Sequence, residues 1–306
     1  MLVFATSDKG GTGRSVTSCN ILYRLALTGL NVSYLDFDFG SPTSGAIFGI
    51  DGTSRGSTSG KGLHAYFAGE VAEPEMINIW TLSDRVSLRN RPASAGRMVL
   101  LPGDAGGGEF AADAAVTERC RQLFARLEEE YDVSIIDLSA GRSYALRMAL
   151  EVTAGPLAAT RDARWLIFHR WTRQHVVAAN GLVYGERGVL DTGIKLGHAQ
   201  EELLDRIRFV CTAVIDPNTS DLSGLRPTQL SWLTERNEDL LELAARLRLG
   251  RSMQLGQVPL DPMLQWHEQL LTNSDQFVRE VANGATVDAF TRLAQRLTDD
   301  EAWERL

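Results

Sequence analysis

Seven short apolar runs punctuate the chain: Leu2–Thr6, Val32–Phe37, Arg97–Leu101, Val133–Leu138, Trp165–His169, Ile207–Ile215 and Met253–Val258. Most lack clean alternation of apolar and polar positions, the pattern of parallel strands covered on both faces. Between them the period changes. Val16, Cys19, Leu22 and Leu25 recur at helical spacing with Gly29 as a stop, and Thr117 to Glu130 and Phe290 to Leu297 repeat the pattern. Strands alternating with helices predict an α/β fold, a doubly wound, mostly parallel sheet flanked by helices, with ligand at the strands' carboxyl ends. Taken as a single domain over residues 1–306, the chain has two stretches longer than such a core needs, near 182–206 and 217–250. They read as coverings of the core edge or as surfaces for a partner.

Polar chemistry gathers where these runs end. The first run leads into Ser7-Asp8-Lys9-Gly10-Gly11-Thr12-Gly13-Arg14-Ser15-Val16, and a helical pattern follows at once. Gly10, Gly11 and Gly13 let successive backbone N–H groups converge on an anion. A helix starting near Arg14 adds unpaired N–H groups and the positive end of its dipole. This is a phosphate cradle, and Ser15 falls where a P-loop hydroxyl ligates Mg²⁺. Asp8 replaces the usual first glycine, Arg14 replaces the lysine that reaches the phosphates, and Lys9 stands ahead of the glycines.

Lys-Gly-Gly-x-Gly-(Lys/Arg)-Ser resembles the deviant Walker A loop of the ParA/MinD partition ATPases. Further motifs follow in the same order. Tyr34 to Thr43 resembles the Asp-x-Asp switch, Tyr131 to Gly141 the Walker B strand with the second switch, and Gly256 to Pro262 the late base-contacting loop. The resemblance implies ATP and Mg²⁺ as cofactors. Gly10, Gly11, Thr12, Gly13, Arg14, Ser15 and Val16 would then cradle the phosphates, and Pro259 would meet the adenine ring. Ser15, Asp36 and Asp137 would form the metal's surroundings, and Asp38 would position the attacking water. Lys9 would cross a two-fold interface to the partner subunit's phosphates, which makes dimer formation depend on nucleotide. Arg14 keeps the positive charge, but its planar fork differs from an ammonium and can misplace the γ-phosphate.

Composition narrows the setting. The chain is 44% hydrophobic, carries a formal net charge of −8, and has no run long enough to span a bilayer. Cys19, Cys120 and Cys211 are odd in number and scattered, as expected of buried thiols in a reducing cytoplasmic compartment. The acidity predicts weak DNA binding at best. The tail from Phe290 to Leu306, with Asp299, Asp300, Glu301 and Glu304, lacks the basic face a membrane-docking helix needs. Asp51 to Gly62 reads as a flexible Gly/Ser-rich connection, and its Gly-Lys as a decoy with no strand before it.

The function expected is a nucleotide-switched dimeric ATPase with slow hydrolysis, acting on a protein partner or cargo. Two alternatives stand beside it: a nucleotide-binding scaffold without turnover, and a metabolic ATP-dependent enzyme on the same fold.

Overall fold

The computed structural model describes residues 1–108, 110, 113–155, 162–217 and 222–304. Its eight-stranded sheet contains β1 Leu2–Thr6, β2 Val32–Phe37, β3 Ile77–Asn78, β4 Met98–Leu101, β5 Val133–Leu138, β6 Ala163–Arg170, β7 Ile207–Val214 and β8 Gln254–Pro259. The strands lie in the order β3-β4-β2-β5-β1-β6-β7-β8, and every pairing is parallel except β3 with β4. The longer helices are α1 Arg14–Leu27, α2 Ala114–Glu130, α3 Tyr144–Val152, α4 Arg173–Tyr184, α5 Val189–Lys195, α6 Pro227–Arg246 and α7 Gly284–Thr298.

The sheet divides two apolar layers. Leu2 and Phe4 of β1 join Phe37, Phe124 and Trp165 on one face, under α2, α3 and α4. Val3 and Ala5 join Leu22, Tyr34 and Phe290 on the other, under α1 and α7. This is the period of two expected of a pleated strand. Because both faces are covered, β1, β2 and β5 are buried at every position. That burial is why they appear in the sequence as mostly apolar runs, interrupted in β2 and β5 by the paired Ser33 and Ser134 and by Asp36 and Asp137.

The sheet also fixes the site. In the parallel pairing of β2 with β5, Asp36 stands opposite Asp137. Both carboxylates therefore emerge beside the loop that follows β1.

Two features differ from the sequence expectation. The antiparallel edge strand β3 is only two residues long and leaves no apolar run to detect. The stretch 51–62 is held rather than loose. Ser57 donates its N–H to Gly103 O at 2.7 Å and accepts from Ala105 N at 2.8 Å, while Asp104 accepts from the N–H groups of Gly62 and Ala65. Gly56 sits at φ 90°, where a Cβ would lie 2.8 Å from Gly103 O. Two glycine-rich stretches thus hold each other through backbone bonds and the Asp104 carboxylate, which composition does not reveal.

In the 182–206 stretch, α5 and the short helix Gln200–Asp205 bury Val189, Leu190 and Leu203 in the core. Part of the 217–250 stretch, residues 218–221, lies outside the described residues. In the remainder α6 buries only Leu243 and Ala244, and its Trp232 is exposed.

Phe124 packs against both Phe4 and Phe37, with ring centroids 5.6 and 5.9 Å apart. Phe124→Ala is expected to lower unfolding free energy by about 3–5 kcal/mol, because the cavity forms where α2 seals the sheet. Urea denaturation measures it, and a loss below about 1 kcal/mol would show that α2 does not seal that layer.

Candidate functional site

The loop after β1 is built for close backbone approach. Gly11 and Gly13 sit at φ 70° and 71°, the left-handed region that glycine tolerates. Gly13 is the N-cap of α1, so the helix's first N–H groups open onto the loop. A Cβ at Gly10 or Gly11 would meet nothing within 4 Å, which leaves room for an anion there. Outside contacts hold the loop in place. Thr212 donates its hydroxyl to Thr12 O at 2.6 Å, and Gly141 donates its N–H to Ser7 O at 2.7 Å.

Arg14 does not lie along this cradle. Its Nε donates to Asp137 Oδ1, and its Nη2 donates to Asp38 Oδ2 at 2.9 Å. Burial works against the guanidinium charge, but Asp137 and Asp38 outweigh it and hold the pKa above the ordinary arginine value. The other oxygen of Asp137 accepts from Tyr34 Oη at 2.7 Å. Burial raises the Tyr34 phenol well above its ordinary pKa, so it stays protonated and remains a donor.

Asp36 takes a different partner. Ser44 donates to its Oδ2 through both N–H, at 3.0 Å, and Oγ, at 2.6 Å. Burial, followed by the nearby Asp137 charge, pushes Asp36 up to about 7. The two carboxylates placed side by side by the sheet register therefore diverge. Asp137 is matched by a cation, while Asp36 holds its proton to near neutrality.

The other expected residues lie around this centre. Lys9 is half-buried, and its ammonium makes no ion pair among the described residues. Ser15 is in the first turn of α1, and its hydroxyl has no hydrogen-bond partner among the described residues. A cavity of about 200 Å³ brings Gly11, Thr12, Gly13 and Val16 together with Pro259 and Asp261. The glycine loop and the segment expected to meet the base thus share one cleft, whereas Arg14, Asp38 and Asp137 form an ionic cluster.

These groups fit nucleotide phosphates, because the cradle is open and rich in N–H donors. Mg²⁺ would be held by Ser15 and phosphate oxygens, with Asp36 as its acidic neighbour. Asp137 has both oxygens engaged and would join only once Arg14 moves.

Several contributors escaped the sequence reading. Asp8 accepts from Arg142, in the segment after β5, at 3.0 Å, which gives a role to the aspartate that stands in the first glycine's place. Tyr34 and Thr212 are ordinary strand residues by pattern, and only the fold brings them to the site. Cys19, Cys120 and Cys211 are buried, and none is in a disulfide.

Comparison with known proteins agrees with this geometry. The septum site-determining protein MinD of a Synechocystis strain is 28% identical over 169 residues, covering 53% of this chain and 56% of that protein. The matched region thus spans little more than half of that relative. The MinD cell division protein of Aquifex aeolicus superposes with a TM-score of 0.58 at 17% identity, covering 97% of this chain and 96% of that one. A plasmid partition protein of Borrelia burgdorferi bound to AMPPNP gives a TM-score of 0.61 at 14% identity, covering 96% of each chain. A family profile described as the CobQ/CobB/MinD/ParA nucleotide binding domain matches residues 3–229, and the chain belongs to this ParA/MinD-type P-loop ATPase family.

Proposed function

We propose that this protein is an ATP-dependent molecular switch that binds Mg-ATP, dimerises on it, hydrolyses it slowly, and so positions or regulates a protein partner or cargo. The observation that carries this reading is the pairing of an open glycine cradle with a Lys9 ammonium that makes no ion pair among the described residues. An unmatched lysine beside a phosphate site can neutralise phosphate charge on a facing subunit, and closed two-fold symmetry is the commonest way to bury such a face.

Slow turnover is supported by Arg14. The carboxylate expected to orient water, Asp38, is bonded to it, so the γ-phosphate must compete with Asp38 and Asp137 for the guanidinium. Charge stabilisation at the phosphates depends on groups already in place, and any shift in placement costs rate. The same clamp favours the second reading, a scaffold that binds nucleotide and never releases Arg14. No helix of the described residues is long and apolar enough to cross a membrane. DNA binding is proposed to be weak, on the strength of the net charge of −8.

Light scattering with and without a non-hydrolysable ATP analogue tests the switch. ATP is expected to convert monomer to dimer, and Lys9→Ala to abolish the conversion while affinity stays within a few-fold. A monomer under both conditions would leave Lys9 a surface residue.

Phosphate release separates the two readings. Lysine presents its donors from a single nitrogen and lacks the planar fork whose separate nitrogens reach Asp137 and Asp38 here. Arg14→Lys should therefore free Asp38 and raise turnover about tenfold, a change of ~1.4 kcal/mol in barrier. Arg14→Ala should destabilise the fold by about 3–5 kcal/mol, since it strands buried carboxylates. Equal or lower turnover in Arg14→Lys would mean the loop is built around arginine.

Asp36 gives the site a pH response. Its pKa in the fold lies above its unfolded value, so the stability it contributes is fully present below about pH 4 and is lost as pH rises through about 7. Asp36→Asn is expected to remove that loss. Thermal melts across this range check it, and parallel declines in both proteins would show that Asp36 does not titrate there.

A further inference from the structure

A cleft of about 930 Å³ opens between α3 and α5, and no glycine-loop residue lines it. Arg142, Arg147, Arg187 and Lys195 line it, with Asp191 as the acidic member. Two of these cations are already matched: Lys195 bonds Asp191 at 2.7 Å, and Arg142 bonds Asp8 at 3.0 Å. Arg147 and Arg187 are exposed, and neither side chain makes an ion pair or hydrogen bond among the described residues. Arg187 is also one of the few non-glycine residues in the left-handed region, at φ 54°, with its N–H fixed by Asp191 Oδ2 at 2.8 Å. Leu146 and Leu196 add apolar surface, and the half-exposed Tyr144 lies at the rim.

We propose that this cleft docks a short acidic segment of a partner protein, its carboxylates meeting Arg147 and Arg187 and an apolar side chain lying against Leu196 and Tyr144. Guanidinium groups pair with carboxylates through two parallel hydrogen bonds, which gives direction as well as charge. The volume suits a few residues of extended chain, at the upper end of the ordinary range for binding clefts. A nucleic acid fits less well. The chain's net charge of −8 repels a long polyanion, and one tyrosine is a poor platform for stacked bases. A short acidic segment meets only the local field, because charges beyond about 8 Å are screened at physiological salt.

The cleft also adjoins the second switch. Ala140, Arg142 and Ser143 line it just after Asp137, and Arg142 and Gly141 tie that segment to Asp8 and Ser7 of the loop. A docked segment would therefore touch the part of the chain that adjoins the ionic cluster. Docking itself does not rest on the proposed ATP switch, so the test uses protein without nucleotide.

The probe is a short fluorescein-labelled peptide rich in glutamate, with leucine and tyrosine interspersed, followed by anisotropy at low salt. Saturable binding is expected, weakened by about tenfold or more in the double variant Arg147→Glu, Arg187→Glu. Arg236→Glu on the exposed face of α6 should leave it unchanged, as should overlapping melting curves show that all three proteins are folded. No saturable binding, or equal binding by the double variant, would overturn the proposal. So would tighter binding of a single-stranded or duplex DNA lost in the same variant, which would assign the cleft to nucleic acid. A peptide with lysine in place of glutamate is expected not to bind, and equal binding of it would also overturn the charge argument.

Discussion

The Arg14 guanidinium, bonded at once to Asp38 and Asp137, is the contact on which the organisation of the site depends. It joins the start of α1 to the residue after β2 and to the end of β5, three segments that meet only in the folded sheet. A buried ion pair of this kind is weak evidence for net stability, because desolvation offsets most of the attraction. Its consequence is different. With Arg14 present, two carboxylates are matched and the cluster is settled; with Arg14 withdrawn, Asp38 and Asp137 are left seeking a cation. On the proposed function, the site needs its cation both for its own carboxylates and for incoming phosphates, and so has two competing states. That competition is a physical basis for a switch, and equally for a stalled one.

The sheet makes this competition possible. Parallel pairing of β1 between β5 and β6, and of β2 beside β5, brings the loop after β1 and the acids of β2 and β5 to one edge. The register that sets Asp36 opposite Asp137 places two buried acids in neighbouring positions, and the molecule resolves their repulsion unequally. Asp137 receives Arg14 and Tyr34, while Asp36 receives neutral donors, the N–H and hydroxyl of Ser44 and the N–H of Asp38. Unequal partners thus make two aspartates of similar setting chemically distinct.

Much of the fold was legible in the sequence, for a physical reason. Strands covered on both faces are mostly apolar, so β1, β2 and β5 can be read with their ends. The two-residue β3 leaves no such trace, and the backbone bonds joining 51–62 to 103–108 involve no distinctive side chains. The site was legible where chemistry demands a residue type, as at Gly11 and Gly13, whose positive φ suits glycine. Arg14 was legible as a cation but not in its direction. Its partners lie 24 and 123 positions away, and no local pattern says whether a guanidinium faces the loop or turns to the acids. Tyr34, Thr212 and the Asp8–Arg142 pair belong to the same class of long-range contacts.

The direction of Arg14 in the presence of nucleotide tests the account most directly. A crystal structure of the protein with Mg²⁺ and a non-hydrolysable ATP analogue would show it. Phosphates are expected along Gly10 to Ser15, with the Arg14 guanidinium turned from Asp38 onto phosphate oxygens. Nucleotide bound with Arg14 still held between Asp38 and Asp137 would contradict it and leave a scaffold that binds without turning over.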